Sequence, residues 1–195
     1  MVTFLFVCTG NICRSPLADL FMSDRSRRLL DGAVRVQSAG IAAGRYVSPE
    51  AIETAREKGL DAGALRPTQV TPELLRAADL VVTMTADHST EVLDVAPDVA
   101  EKTFTLKELS ALVGALPESE PSTERAIVLS RIAEVHRRRA SRVAGNGPPG
   151  DVRDPLGLPM DIYREVAAEI ETGVDDLVRG LFGVRDGAEA SADGS

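Results

Sequence analysis

Val7-Cys8-Thr9-Gly10-Asn11-Ile12-Cys13-Arg14-Ser15-Pro16 is the stretch that decides how this chain is read. Before it, Val2 to Val7 is a continuous apolar run of the length of a buried parallel strand. After it, Pro16 suits the first turn of a helix, where its missing N–H is no loss. Leu17, Leu20, Phe21, Leu29 and Leu30 then recur at roughly helical spacing. Cys8 to Ser15 is therefore a strand-to-helix loop. Successive N–H groups in such a loop point inward, and the helix dipole adds positive potential. Arg14 adds a bidentate fork for two oxygens of a tetrahedral oxyanion.

The same field acts on the thiol of Cys8. A thiolate is favoured near a helix N-terminus and a guanidinium, so the expected nucleophile ionises without a neighbouring histidine. Ser15 can donate a hydrogen bond to that sulfur. The amides and Arg14 match the charge that builds on the equatorial oxygens in phosphoryl transfer. A Walker-type nucleotide loop is excluded, because no Gly-Lys-Ser/Thr ending is present.

Outward from the loop, strands and helices alternate, which implies an α/β fold. The expectation is a doubly wound, four-stranded parallel sheet with helices on both faces. Ser48-Pro49-Glu50 and Thr71-Pro72-Glu73 each read as an N-cap, a first-turn proline and an acidic residue suited to the dipole. The ligand site is expected beyond the carboxyl ends of the strands, where Cys8 stands.

Cys8-Thr9-Gly10-Asn11-Ile12-Cys13-Arg14-Ser15-Pro16 resembles the signature of the low-molecular-weight protein tyrosine phosphatases, in their bacterial branch. The likeness extends through Val36–Gly40, Ala78–Thr85 and Phe104–Glu108, which resemble the family's later strands. It also takes in Asp151-Val152-Arg153-Asp154-Pro155, similar to its acid loop, and Asp161-Ile162-Tyr163, which opens its last helix. The resemblance implies a flavodoxin-like fold and a protein phosphatase working through a cysteinyl-phosphate intermediate. Cys8 is then the nucleophile and Arg14 the phosphate clamp. Thr9, Gly10, Asn11, Ile12, Cys13, Arg14 and Ser15 form the cradle, and Ser38 lends support. Asp154 is the general acid and then base, with Asp151 as the rival carboxylate. No cofactor and no metal are implied.

Cys13 has two readings, a small buried side chain or a redox partner that traps oxidised Cys8 as a disulfide. Substrate choice is divided too. Tyrosine-specific relatives often place aromatic residues after the Asp-Pro, but Leu156 and Gly157 stand here after Asp154-Pro155. Relatives that act on phosphoarginine share the Asp-Pro-x-Gly and Asp-Ile-Tyr segments but carry a threonine where this chain has Ile12. An unpaired guanidinium donor costs about 1–3 kcal/mol, so Ile12 favours phosphotyrosine, with phosphoarginine as the alternative. Tyr46 is the candidate aromatic wall, alongside Pro155 and Leu156. An arsenate reductase would need a further thiol, and the chain has 2 cysteines. A phosphate-binding pseudoenzyme would have no use for the full set of Cys8, Arg14, Ser15 and Asp154.

Composition bounds the rest. A chain of 195 residues can bury one full core, expected over residues 1–183, with 184–195 as a disordered tail. The net charge of −8 disfavours nucleic acid and anionic membranes as partners. A phosphorylated protein and free phosphate or other oxyanions suit the site. No basic leader precedes the first apolar run, so a cytoplasmic location is expected. His88 and His136 have no metal-spaced partners and read as surface residues.

Residues 110–150 interrupt the likeness. The spacing predicts a helix in them from Ser122 to about Arg142, with Val128, Ile132 and Val135 on one face and Arg137, Arg138, Arg139 and Arg142 near its end. Two readings stand. One is a surface helix with a solvated basic end. The other is an arm at the pocket mouth that steers acidic substrates or restrains Asp154.

Overall fold

The computed structural model describes residues 1–141 and 150–184. The expected linker 145–150, all but its last residue, and nearly all of the expected tail lie outside them. Four parallel strands form one sheet: β1 (Val2–Cys8), β2 (Val34–Gly40), β3 (Leu80–Thr83) and β4 (Thr103–Thr105), in the order β2-β1-β3-β4. Phe4 pairs with Val36 on one side and Leu80 on the other, so β1 is central. The order reverses direction beside β1, and a doubly wound sheet opens its ligand crevice at that point. Cys8 ends β1 there.

Both faces of β1 are buried, which explains its unbroken apolar run. Val2, Phe4, Phe6 and Cys8 face one layer, and Leu5 and Val7 face the other. The first layer holds α1 (Arg14–Leu29), α2 (Pro49–Glu57), α5 (Leu106–Val113), α6 (Arg125–Ser141) and α7 (Met160–Phe182). The second holds α3 (Pro72–Ala77), α4 (Ala86–Val95) and a short 3-10 helix at Pro97–Lys102. Ser48 and Thr71 cap α2 and α3 as the sequence implies, accepting from Ala51 N at 3.1 Å and Leu74 N at 3.2 Å. In α7, Tyr163, Val166, Ala167, Ile170, Val174, Leu177 and Leu181 make a buried stripe at helical period. Among the described residues, no helix is long and apolar enough to cross a membrane.

Helix α6 is a surface helix with one packed face: Val128, Ile132 and Val135 are buried in the main core, while Arg125, Ala126, Ile127 and Ser130 are exposed. Its first turn stands away from the end of β1. Arg125 meets Asp79 at 2.5 Å, and Asp79 holds Thr3 N at 2.9 Å. Thr3 is five residues back from Cys8 along β1, about 16 Å away. The basic end is divided: Arg137 stays 66% exposed beside Glu134, Arg142 lies outside the described residues, and Arg139 is drawn to the sheet edge. Arg139 lies 3.7 Å over the Phe104 ring, donates to Thr103 O at 2.5 Å and pairs with Glu108 at 2.9 Å. Strand β4 is an outer strand, so α6 covers backbone that an open edge would expose. The helix starts at Arg125 rather than Ser122, because Ser122 is spent on a turn. Its N donates to Phe182 O and its Oγ accepts from Glu124 N.

Candidate active site

The loop after β1 is built on close backbone contact. Gly40 pairs with Cys8 across the sheet. A Cβ on Gly40 would lie 2.8 Å from both Asn11 N and Gly10 C, so only glycine lets the loop cross β2 here. Asn11 takes a left-handed backbone, φ 52°, which asparagine tolerates better than most residues. Its side chain then brackets the loop, donating to Ser15 Oγ at 2.9 Å and accepting from Thr68 N at 2.8 Å. Ile41, Ala42 and Gly44 donate to the carbonyls of Cys8, Thr9 and Gly10, pinning the loop from the β2 side.

Cys8 is buried, with its Sγ 3.0 Å from Ser15 Oγ and 3.3 Å from the amide of Asn11. Ser15 Oγ also reaches Ala39 O at 3.3 Å. Helix α1 begins at Arg14 with no side-chain cap and no acidic residue in its first turn. Its leading amides are therefore left for an anion. The buried Arg14 guanidinium is aimed by Val152 O at 3.1 Å and by Asp154 Oδ2 at 2.7 Å. Its Nε is buried and has no partner among the described residues. An orphaned donor of this kind, beside uncapped amides, fits an oxyanion.

The acid loop comes in from the opposite side. Val152 N binds Met84 O at 2.9 Å, fixing the loop to the end of β3. Asp154 faces Arg14 with its side chain 48% exposed. The rival Asp151 is committed elsewhere, accepting from Ala86 N at 2.9 Å at the start of α4. Pro155 is buried, while Leu156 is 54% exposed with its N on Asp154 Oδ1 at 3.1 Å.

The specificity candidates separate. Ile12 lies under the loop after β2, where its O accepts from Ser48 N at 2.8 Å. Tyr46 belongs to that loop, is 67% exposed and carries Arg45 over its ring at 5.4 Å. Ser38 is not brought to the pocket. Its hydroxyl donates to Asp19 on α1 at 2.9 Å. Cys13 is buried and turned to Ser48 Oγ at 3.4 Å and Tyr163 Oη at 3.6 Å, and burial pushes its thiol pKa up. Both cysteines are free thiols.

One residue that sequence reading missed is His88. It is not a surface residue but 4% exposed, with Nε2 at 2.8 Å from Thr9 Oγ1. Burial, then the Arg14 guanidinium, pull its pKa down to about 4. A signal was available. Thr85 caps α4 and accepts from His88 N, so the histidine sits in the first turn after β3, the strand beside β1. His136 is half-buried on α6.

Comparison with known proteins agrees with this geometry. Residues 3–119 match the family model "Low molecular weight phosphotyrosine protein phosphatase". The chain is 32% identical over 179 residues to a protein-arginine-phosphatase of Geobacillus stearothermophilus, covering 91% of this chain and 94% of that one. It is 38% identical over 109 residues to the probable low molecular weight protein-tyrosine-phosphatase EpsP of Ralstonia solanacearum, covering 55% and 72%. The crystal structure of a low molecular weight protein tyrosine phosphatase from T. tengcongensis superposes with a TM-score of 0.70 at 30% identity, covering 93% of this chain and all of that one.

Proposed function

The chain belongs to the low molecular weight phosphotyrosine protein phosphatase family and is a cysteine-dependent phosphatase, and from that premise we propose that it dephosphorylates phosphoarginine in proteins. The observation that carries this reading is the reach of the likeness. In sequence, similarity to the protein-arginine-phosphatase covers 91% of this chain and similarity to EpsP 55%, although the fold of the T. tengcongensis tyrosine phosphatase covers 93%. The acid loop supports it, since Leu156 and Gly157 follow Asp154-Pro155 and present no ring to stack on a phenol.

In this reading Cys8 Sγ attacks phosphorus in line with the leaving group, forming an S–P bond as the P–N bond breaks. The electron pair of that bond stays on the guanidine nitrogen, which takes the proton of Asp154. Arg14 Nε and the amides at the head of α1 hold the phosphoryl oxygens. Asp154 then takes a proton from water, which attacks the cysteinyl-phosphate and releases phosphate and the Cys8 thiolate. Ser15 and the Asn11 amide, both on Cys8 Sγ, steady the sulfur in each step. A cytoplasmic phosphoprotein is the substrate in this reading. Cys13 can trap an oxidised Cys8 only by leaving Ser48 and Tyr163.

Phosphotyrosine is a second reading, and Ile12 favours it. An isoleucine offers no acceptor to a guanidinium, while it and Tyr46 suit a phenyl ring. Matched peptides bearing phosphoarginine and phosphotyrosine decide between them. The first reading expects higher kcat/KM on phosphoarginine, with a further gain in Ile12→Thr. Higher kcat/KM on phosphotyrosine overturns it.

A further inference from the structure

Thr9 Oγ1 stands between two nitrogen groups, Arg14 Nη2 at 3.4 Å and His88 Nε2 at 2.8 Å. A guanidinium only donates, so one lone pair of the hydroxyl belongs to Arg14. The direction of the second bond depends on the imidazole tautomer. His88 Nδ1 is buried and has no partner among the described residues. A hydrogen on Nδ1 would be a stranded buried donor, which folded proteins tolerate less readily than an unfilled acceptor. The hydrogen therefore sits on Nε2 and is donated to Thr9. Both lone pairs of the hydroxyl are then filled, and its own hydrogen is released from the loop wall. Thr9 is also the one exposed residue between Cys8 and Ser15, so that hydrogen is open to a ligand.

We propose that His88 is a positioning residue of the phosphatase site, which by donating from Nε2 to Thr9 Oγ1 makes the Thr9 hydroxyl an extra donor to the phosphoryl oxygens. The inference rests on reading Cys8–Ser15 as the phosphate cradle. It adds to that cradle a side-chain donor set by a residue on another strand-to-helix junction. With its pKa held near 4, the imidazole stays uncharged across neutral pH, so His88 adds no limb to the pH–rate profile.

The test uses the full chain with p-nitrophenyl phosphate as substrate, vanadate as the transition-state probe, and thermal unfolding as the control for folding. In His88→Gln the amide nitrogen reaches the place of Nε2, whereas in His88→Asn it reaches only that of Nδ1. His88→Gln is expected to keep kcat/KM and vanadate affinity within about threefold of wild type. His88→Asn and Thr9→Val are each expected to lose about tenfold to a hundredfold in both. The double variant His88→Asn/Thr9→Val is expected to match Thr9→Val alone, because one acts through the other. Equal losses in Gln and Asn, full activity in Asn or in Thr9→Val, or losses that multiply in the double variant overturn the proposal. If His88→Asn does not fold, His88→Gln decides, and a loss beyond tenfold sinks the idea. Arg14→Lys separates the two levels. Unchanged vanadate affinity there overturns the cradle itself, whereas loss there with none in His88→Asn overturns only the role of His88.

Discussion

Asn11 holds the phosphate loop by three means at once, and they can be separated. Its side chain makes two hydrogen bonds, to Ser15 Oγ and from Thr68 N, and its backbone sits at φ 52°. Removing two such bonds costs about 1 kcal/mol each. A left-handed backbone costs a residue with an ordinary Cβ roughly 1 kcal/mol more. Asn11→Ala is therefore expected to lose about 3 kcal/mol of stability. Asn11→Gly loses the same bonds but accepts the backbone. Net of the extra freedom that glycine gives the unfolded chain, it regains about 0.5 kcal/mol over alanine. For a chain of this size that difference is roughly 1–2 °C in Tm. The third means is the Asn11 amide on Cys8 Sγ, whose position depends on the other two. Both variants should then lose about tenfold in kcat/KM. Urea unfolding and steady-state kinetics on p-nitrophenyl phosphate measure all of this. If both variants stay within about 0.5 kcal/mol of wild type, or glycine proves less stable than alanine, the bracket is not what shapes the loop.

Asp154→Asn should depress hydrolysis of phosphate esters with poor leaving groups by about a hundredfold and of activated esters far less. Asp151→Asn should show no such split, and the reverse pattern would reassign the acid. Arg139→Ala loses its stacking on Phe104 and its bonds to Thr103 O and Glu108, and should cost about 2 kcal/mol in urea unfolding. Its kcat/KM should stay within about twofold, and a large kinetic defect would place α6 in the catalytic machinery after all. Burial pushes the Asp19 carboxyl pKa up from 3.8, against the pull of Ser38 and Ser23. A raised folded-state value adds stability below the ordinary carboxylate range and loses it as pH rises through that value. Asp19→Asn should therefore gain on wild type in thermal scans taken from about pH 4 to about pH 7. A stability gap that does not change with pH would refute that assignment.

What the sequence made legible was local. The placement of Cys8 at a strand end, and of Arg14 and Pro16 at a helix start, is legible because a strand, a turn and a helix start are decided within a few residues. Ser48 and Thr71 read correctly because a cap bonds three residues ahead. Spacing alone does not separate Asp154 from its rival Asp151, and the choice of Asp154 rests on the resemblance. In the structure Asp151 accepts from Ala86 N while Asp154 pairs with Arg14. His88 looked solvated because its partner, Thr9, lies 79 residues away. Arg139 looked solvated because clustered arginines usually are. Its actual partners, an edge-strand carbonyl and an aromatic face, exist only once β4 has joined the sheet. Ser38 was drawn toward the pocket by its neighbours in sequence. Its side chain lies on the same face as Gly40 but two residues short of the strand end, so it meets Asp19 on α1 rather than the loop that crosses Gly40.

The ion pair between Arg14 and Asp154 also bears on how a catalytic cycle ends. In the proposed reading Asp154 holds the proton taken from water when phosphate forms, and once it gives that proton up its carboxylate returns as a rival for the guanidinium that holds the product. The rival is attached to the chain, so it competes at an effective concentration that does not fall on dilution. In that reading the returning carboxylate favours release of the product.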